Sequence, residues 1–423
     1  MPTTASDLQE IISMESLEAH FQPIVSLRKK GISGYEGLTR GIHPATHKTV
    51  PPLELFFLAS QSGRVLDLDR LCRKTVLETF APMAAKKPDC FLSLNFEASV
   101  IDQGVAGSGA LLRQVTDAGL KPSSIALEVI ESDVKDLDQL QRFIQTYRDY
   151  GFMIALDDVG AGHSNLNRIP LLKPDILKVD RYLVQNIQKD FHKQEVFKSL
   201  VGLSHKIGAL TLAEGIETQE EALTVMEMGV DMIQGYYFAK PQRLGEMDER
   251  ILETRVGDIN RKYKETLLQK ISIKKFNLKK YEVMTREVQT ELAQIPMVYF
   301  DGKLLEMVHF FPLVECLYVL DENGFQVTET VMGKALESRR NRQMFRPALK
   351  GEDHTMKDYF YMLVDGGLSK SIFITEPYLS LVTGNICITF ARLFQNLETK
   401  KHFVLCTDIN TEYLHKISMG LYE

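Results

Sequence analysis

Short apolar or β-branched runs recur through the first 240 or so residues, separated by longer stretches with helical spacing. The runs are FQPIVSL (21–27), GYEGLTR (34–40), CFLSLNF (90–96), SIALEVI (124–130), MIALDDV (153–159), DILKVD (175–180), LTLAEGI (210–216) and MIQGYYF (232–238). Amphipathic segments such as LDLDRLCRKTVLETF (66–80) and QEEALTVMEMG (219–229) lie between them. Strands alternating with helices predict parallel βα units. Eight of them in about 250 residues match the size of a (β/α)8 barrel. One connection departs from the rule. Only RKKGI separates Leu27 from Ser33, too short for a parallel crossover. The first two strands are therefore expected to pair antiparallel, with Gly31 near the turn.

From about 245 to 294 the pattern becomes helical and charged, with no proline until Pro296, which predicts one or two long helices. The lysines at 270, 274, 275, 279 and 280 read as a solvated face. After Pro296 the chain is strand-rich, with turn signals at Asn323–Gly324 and Gly384–Asn385. That predicts a small α/β domain around an antiparallel sheet. The expected organisation is a barrel over 1–245, a helical linker over 246–295 and a second domain over 296–423.

Composition narrows the picture. The 423 residues are 44% hydrophobic and 25% charged, enough for more than one core and unlike a disordered or fibrous chain. A net charge of -6 gives no reason to expect nucleic-acid or anionic-membrane binding. The five cysteines are scattered without a C-x-x-C pair, which argues against a disulfide framework or a thiolate zinc site. No signal-peptide pattern opens the chain, and no apolar run reaches the roughly 18–20 residues of a membrane span. The expectation is a soluble protein of a reducing cytoplasm, with no membrane span.

In a (β/α)8 barrel the functional residues gather at the C-terminal ends of the strands. Here polar residues interrupt otherwise apolar strands at such places: Glu36, Asn95, Glu128, Asp157, Asp158, Lys178, Asp180, Glu214, Glu217 and Gln234. Unpaired buried carboxylates are costly, so acids converging on one mouth call for cations. Oxygen donors without a thiol favour Mg2+ or Mn2+.

In order along the chain, the strings Phe21-Gln22-Pro23-Ile24, Glu36-Gly37-Leu38-Thr39-Arg40, Asn95, Glu128-Val129-Ile130-Glu131, Asp157-Asp158-Val159-Gly160-Ala161-Gly162, Lys178-Val179-Asp180, Ala213-Glu214-Gly215-Ile216-Glu217 and Gln234-Gly235-Tyr236, followed by Pro241, resemble the EAL family of cyclic-di-GMP phosphodiesterases over residues 10–245. The resemblance implies two Mg2+ or Mn2+ ions held by Glu36, Asn95, Glu128, Asp157 and Asp158, with Asp157 bridging. It implies Lys178 and Glu214 as the catalytic pair beside the attacking water, and Arg40 on a substrate phosphate. Gln22, Gln234 and Pro241 would lie along the nucleotide cleft, and Glu131 and Glu217 would anchor the loop containing Gly160 and Gly162. The implied reaction opens one phosphodiester of cyclic di-GMP to linear pGpG, in a homodimer.

Gly37 stands where the family has alanine, a mild change expected to loosen the strand around Glu36. Glu97 stands where a serine is usual, and Val159, Ala161, His163 and Asn165 depart from the family's loop. The second domain resembles PAS- or Cache-like sensory domains, and Arg346, Tyr361, Tyr378 and Asp408 are its expected contacts to an unidentified small ligand. Two alternatives stay open: a cyclic-di-GMP receptor without turnover, and another Mg2+-dependent barrel enzyme such as a lyase or aldolase.

Overall fold

Strand β1 (Leu17–Ser26) runs antiparallel to β2 (Gly31–Ile42) across a four-residue turn at 27–30, the hairpin that the short connection demanded. Six parallel strands follow: β3 (Phe91–Asn95), β4 (Ile125–Val129), β5 (Met153–Val159), β6 (Ile176–Val179), β7 (Leu210–Ala213) and β8 (Met232–Ile233). Each pairs with the next, and β8 returns to β1 antiparallel, so the sheet closes into an eight-stranded barrel with one reversed strand. A two-residue strand, Thr49–Val50, is added beside β2.

This is a computed structural model of the protein. It describes residues 3–101, 109–129, 136–161, 166–333, 346–364, 371–380 and 382–411.

The barrel strands are apolar because both faces are covered. All five residues of β4 are buried, as parallel strands enclosed by helices should be. The helix Val65–Lys86 lays Val76, Leu77 and Phe80 into this core, where the Phe80 ring stacks on Phe21 at 6.0 Å. The helix Gln219–Glu227 starts at a capping box in which Thr218 and Glu221 satisfy each other's backbone amides.

Two units result, Met1–Leu267 and Leu268–Glu423. The helix Glu249–Ala293 begins in the first and ends in the second. Leu252, Val256 and Ile259, spaced to share one face, belong to the barrel core. Tyr281, Met284, Val288 and Leu292 belong to the core of the second unit.

That second unit is built on an antiparallel sheet ordered β10-β9-β14-β13-β11. Its strands are β9 (Val314–Asp321), β10 (Val331–Met332), β11 (Ile372–Ile374), β12 (Tyr378–Leu379), β13 (Ile386–Gln395) and β14 (His402–Asn410), with β12 pairing to β13. Its apolar core takes in Phe300, Leu304, Phe390 and Phe403. A separate cluster joins Cys316, Tyr318 and Cys406 with Tyr359, Phe360 and Leu363 of the helix Asp358–Val364. All five cysteines are buried free thiols. Among the described residues no helix is long and apolar enough to cross a membrane.

Candidate active site

Barrel register alone gathers the acids at one rim. Glu36 on β2 stands beside Ser93 on β3, and Asn95, the last residue of β3, stands beside Glu128 on β4. Asp157 and Asp158 fall where the β5–β6 register shifts between Leu156 and Val159. There Asp158 takes the left-handed conformation, φ 55°, which is uncommon outside glycine, and its amide donates to Asp157 Oδ1 at 2.9 Å. Lys178 lies on β6, and Glu214 directly follows β7. Because β1 runs backwards, Gln22 in mid-strand lies opposite Glu36.

Lys178 is the hub. Its side chain is 1% exposed, and its Nζ lies 2.7 Å from Glu128 Oε1, 2.9 Å from Glu214 Oε1 and 3.2 Å from Asp157 Oδ1. The Ser93 hydroxyl donates to the same Glu128 oxygen. Nearby, the Gln234 amide donates to Glu36 Oε2 at 2.5 Å and to Gln22 Oε1 at 2.9 Å. Asn95 donates to Glu36 Oε1 at 3.4 Å, and the Gln22 amide donates to the Ala239 carbonyl at 3.0 Å.

Three carboxylates thus close on one ammonium, with Glu36 adding its field from nearby. Burial pushes the Glu128 carboxyl up to about 8, against the pull of Lys178 and with help from Glu36 and Asp157. Burial also drives Glu214 well above the carboxylate range. For Lys178 burial works against the charge, yet Asp157, Glu128, Glu214 and Glu36 hold its proton well above the usual value. Glu128 Oε2 is buried without a hydrogen-bond partner, an arrangement that costs free energy unless a cation satisfies it.

These donors fit a hard divalent ion: they are carboxylate and amide oxygens, they carry more negative charge than Lys178 neutralises, and one buried oxygen is orphaned. The site is not a preformed cage, however. Among the described residues, no three histidine, cysteine or acidic side chains already surround a centre fit for a metal. The carboxylates are drawn onto Lys178 instead.

Other expected residues lie farther out. Arg40 shares the alternate face of β2 with Glu36 and donates to the Thr39 carbonyl at 2.8 Å. Pro241 lies in the segment that Phe21 and Gln242 tie to β1 through paired backbone bonds. Glu217 is exposed, its amide donating to Glu221. Glu131, Gly162, His163 and Asn165 lie outside the described residues.

In the second unit, Tyr378 and Asp408 meet through Thr389, whose hydroxyl is 2.9 Å from the phenol and donates to Asp408 Oδ1 at 2.7 Å. Arg346 pairs with Glu352 at 2.9 Å, and Tyr361 is 51% exposed. No contact joins these two to Asp408 among the described residues.

Sequence reading passed over Ser93, although its place two residues before Asn95 puts it on the same face of β3. It also passed over Asp69 and Arg73, which look like an ordinary helical i,i+4 pair.

The EAL domain family profile matches residues 5–241. The chain belongs to the EAL domain family. It is similar to the cyclic di-GMP phosphodiesterase NbdA of Pseudomonas aeruginosa, 28% identical over 251 residues, covering 57% of this chain and 31% of that protein. It is similar to the probable cyclic di-GMP phosphodiesterase PdeB of Escherichia coli, 31% identical over 235 residues, covering 55% of this chain and 44% of that one. The chain thus spans less than half the length of either relative. Over nearly its whole length it shares the fold of the Bacillus subtilis YkuI protein, solved with substrate cyclic di-GMP and calcium: TM-score 0.77, 24% identity, covering 96% of this chain and 99% of that one.

Proposed function

We propose that this chain hydrolyses cyclic di-GMP to linear pGpG with two Mg2+ or Mn2+ ions, and that the unit after Leu267 regulates the reaction. The observation that carries the reading is the rim itself: Glu36, Asn95, Glu128, Asp157 and Glu214 come together around Lys178, with Glu128 Oε2 orphaned. Family membership and the named activities of NbdA and PdeB support the same chemistry.

Glu36, Asn95, Glu128, Asp157 and Asp158 would hold the ions. When bound, the pair supplies an activated water and spreads the charge that develops on the phosphate during in-line attack. Lys178, held between Glu128, Asp157 and Glu214, presents a fixed positive charge to the attacking oxygen. Glu214, 2.9 Å from Lys178 Nζ, is placed to accept the water's proton. Arg40 would orient a phosphate oxygen, while Gln22 and Gln234 brace Glu36.

The test is incubation of the purified chain with cyclic di-GMP and Mn2+, with products resolved by chromatography. Appearance of pGpG is expected, and tight binding without product would favour a receptor instead. Asp157→Asn should lower turnover by several orders of magnitude, because it removes the charge of a carboxylate that would hold the ions; near wild-type turnover would sink the two-ion assignment. For regulation, a chain ending at Leu267 keeps the whole first core. Its turnover should differ from the full chain's by more than threefold, and equal rates would show that the second unit does not act on the barrel.

A further inference from the structure

A buried ion pair sits behind the rim. Asp69 and Arg73, one turn apart on the helix Val65–Lys86, are 2% and 3% exposed and bonded to each other. Their free edges reach the two residues that follow Asn95. The Arg73 guanidinium lies 4.5 Å over the Phe96 ring, and Asp69 Oδ1 accepts from the Glu97 amide at 3.3 Å. The Phe96 amide in turn donates to the Glu128 carbonyl at 3.1 Å. A cavity of about 230 Å³ is lined by this pair together with Glu36, Asn95, Thr39 and Cys72.

We infer that Asp69 and Arg73 are positioning residues for the divalent-ion site: they clamp the turn after β3 and so fix where Asn95 points. The inference rests on the hydrolase reading for its ion, and on the geometry above for its clamp. An amide ligand binds a cation weakly unless it is pre-aimed, and Asn95 ends its strand with its side chain exposed. A helix that grips both following residues supplies the aim. Groups that orient metal ligands typically contribute tenfold to a hundredfold in metal affinity. An ion pair on the helix surface would have no such effect, whereas a buried pair with one hydrogen bond and one ring contact to the same turn can.

The test uses the full chain and Mn2+ alone as the probe. Asp69→Asn/Arg73→Met removes both charges together, so that neither is left buried and unpaired. Expected are a Mn2+ dissociation constant raised about tenfold to a hundredfold by calorimetric titration, and faster amide exchange in residues 91–97. The Mn2+ concentration giving half-maximal turnover should rise in step, with kcat at saturating Mn2+ within about threefold of wild type. Phe96→Leu, which takes the ring from under the guanidinium and leaves the ion pair in place, should raise the dissociation constant less, by about threefold to tenfold. It also carries the test if the double variant fails to fold. Folded variants with wild-type Mn2+ affinity, or with unchanged exchange over 91–97, overturn the inference. A wild-type chain that takes up no Mn2+ overturns the hydrolase reading, and the exchange result then decides the clamp by itself.

Discussion

Lys178 occupies the middle of its carboxylates in a way that has two sides. It neutralises acids that would otherwise repel one another, and it engages the oxygens that would hold an ion. Replacing it with methionine should therefore cost the metal-free chain about 3–5 kcal/mol, the scale of breaking a buried pair. The same variant should be stabilised more by saturating Mn2+ than the wild type is. Denaturant melts with chelator and with Mn2+ measure both, and equal Mn2+ gains would show that the ammonium does not compete. At this scale the sequence was informative where chemistry repeated. Glu36, Asn95, Glu128, Asp157, Lys178 and Glu214 each interrupt an apolar strand, and register brings them together. The partners behind them were hidden for a physical reason. Ser93, Asp69 and Arg73 carry no pattern of their own; their significance lies in contacts with residues 23 to 35 positions away in sequence.

Elements were legible where connection length decided the geometry. The short link between the first two strands forced the hairpin, and the reversed β1 explains how a mid-strand Gln22 arrives at the rim. Less legible was what replaces a missing methyl. Gly37 was expected to loosen β2, but the space of a Cβ is already taken by Val76 Cγ1, with Leu92 Cδ1 at 3.2 Å. Val76 is 2% exposed and branched, so it cannot swing clear. Gly37→Ala should consequently cost about 1–3 kcal/mol by overpacking, and adding Val76→Ala should recover most of it. A double-mutant cycle in denaturant measures the coupling, and additive costs would mean that the strand yields elsewhere.

Across the whole molecule, the run of helical charge after 245 resolves into one helix whose two apolar stretches, one towards each end, serve different cores. Hydrophobic spacing could announce the helix but not which core each turn would join, since that depends on contacts far along the chain. The second unit illustrates the same limit. Its strands and turns were visible, while the Tyr378–Thr389–Asp408 chain depends on pairing between β13 and β14.

The rim draws its oxygen atoms from β2, β3, β4 and β5 and from the residue after β7. No single strand owns enough of them to hold an ion, so a divalent cation meets a worthwhile site only after β2 to β5 have paired in register. It can arrive as a late tenant and never as a mason. Mn2+ binding the native state alone should raise stability by mass action, and the gain should fall on the escape from the native state. Stopped-flow traces should show unfolding slowed in proportion to occupancy and refolding at the same rate with or without the ion. Refolding hastened by Mn2+ would mean that part of the rim forms before the barrel shuts.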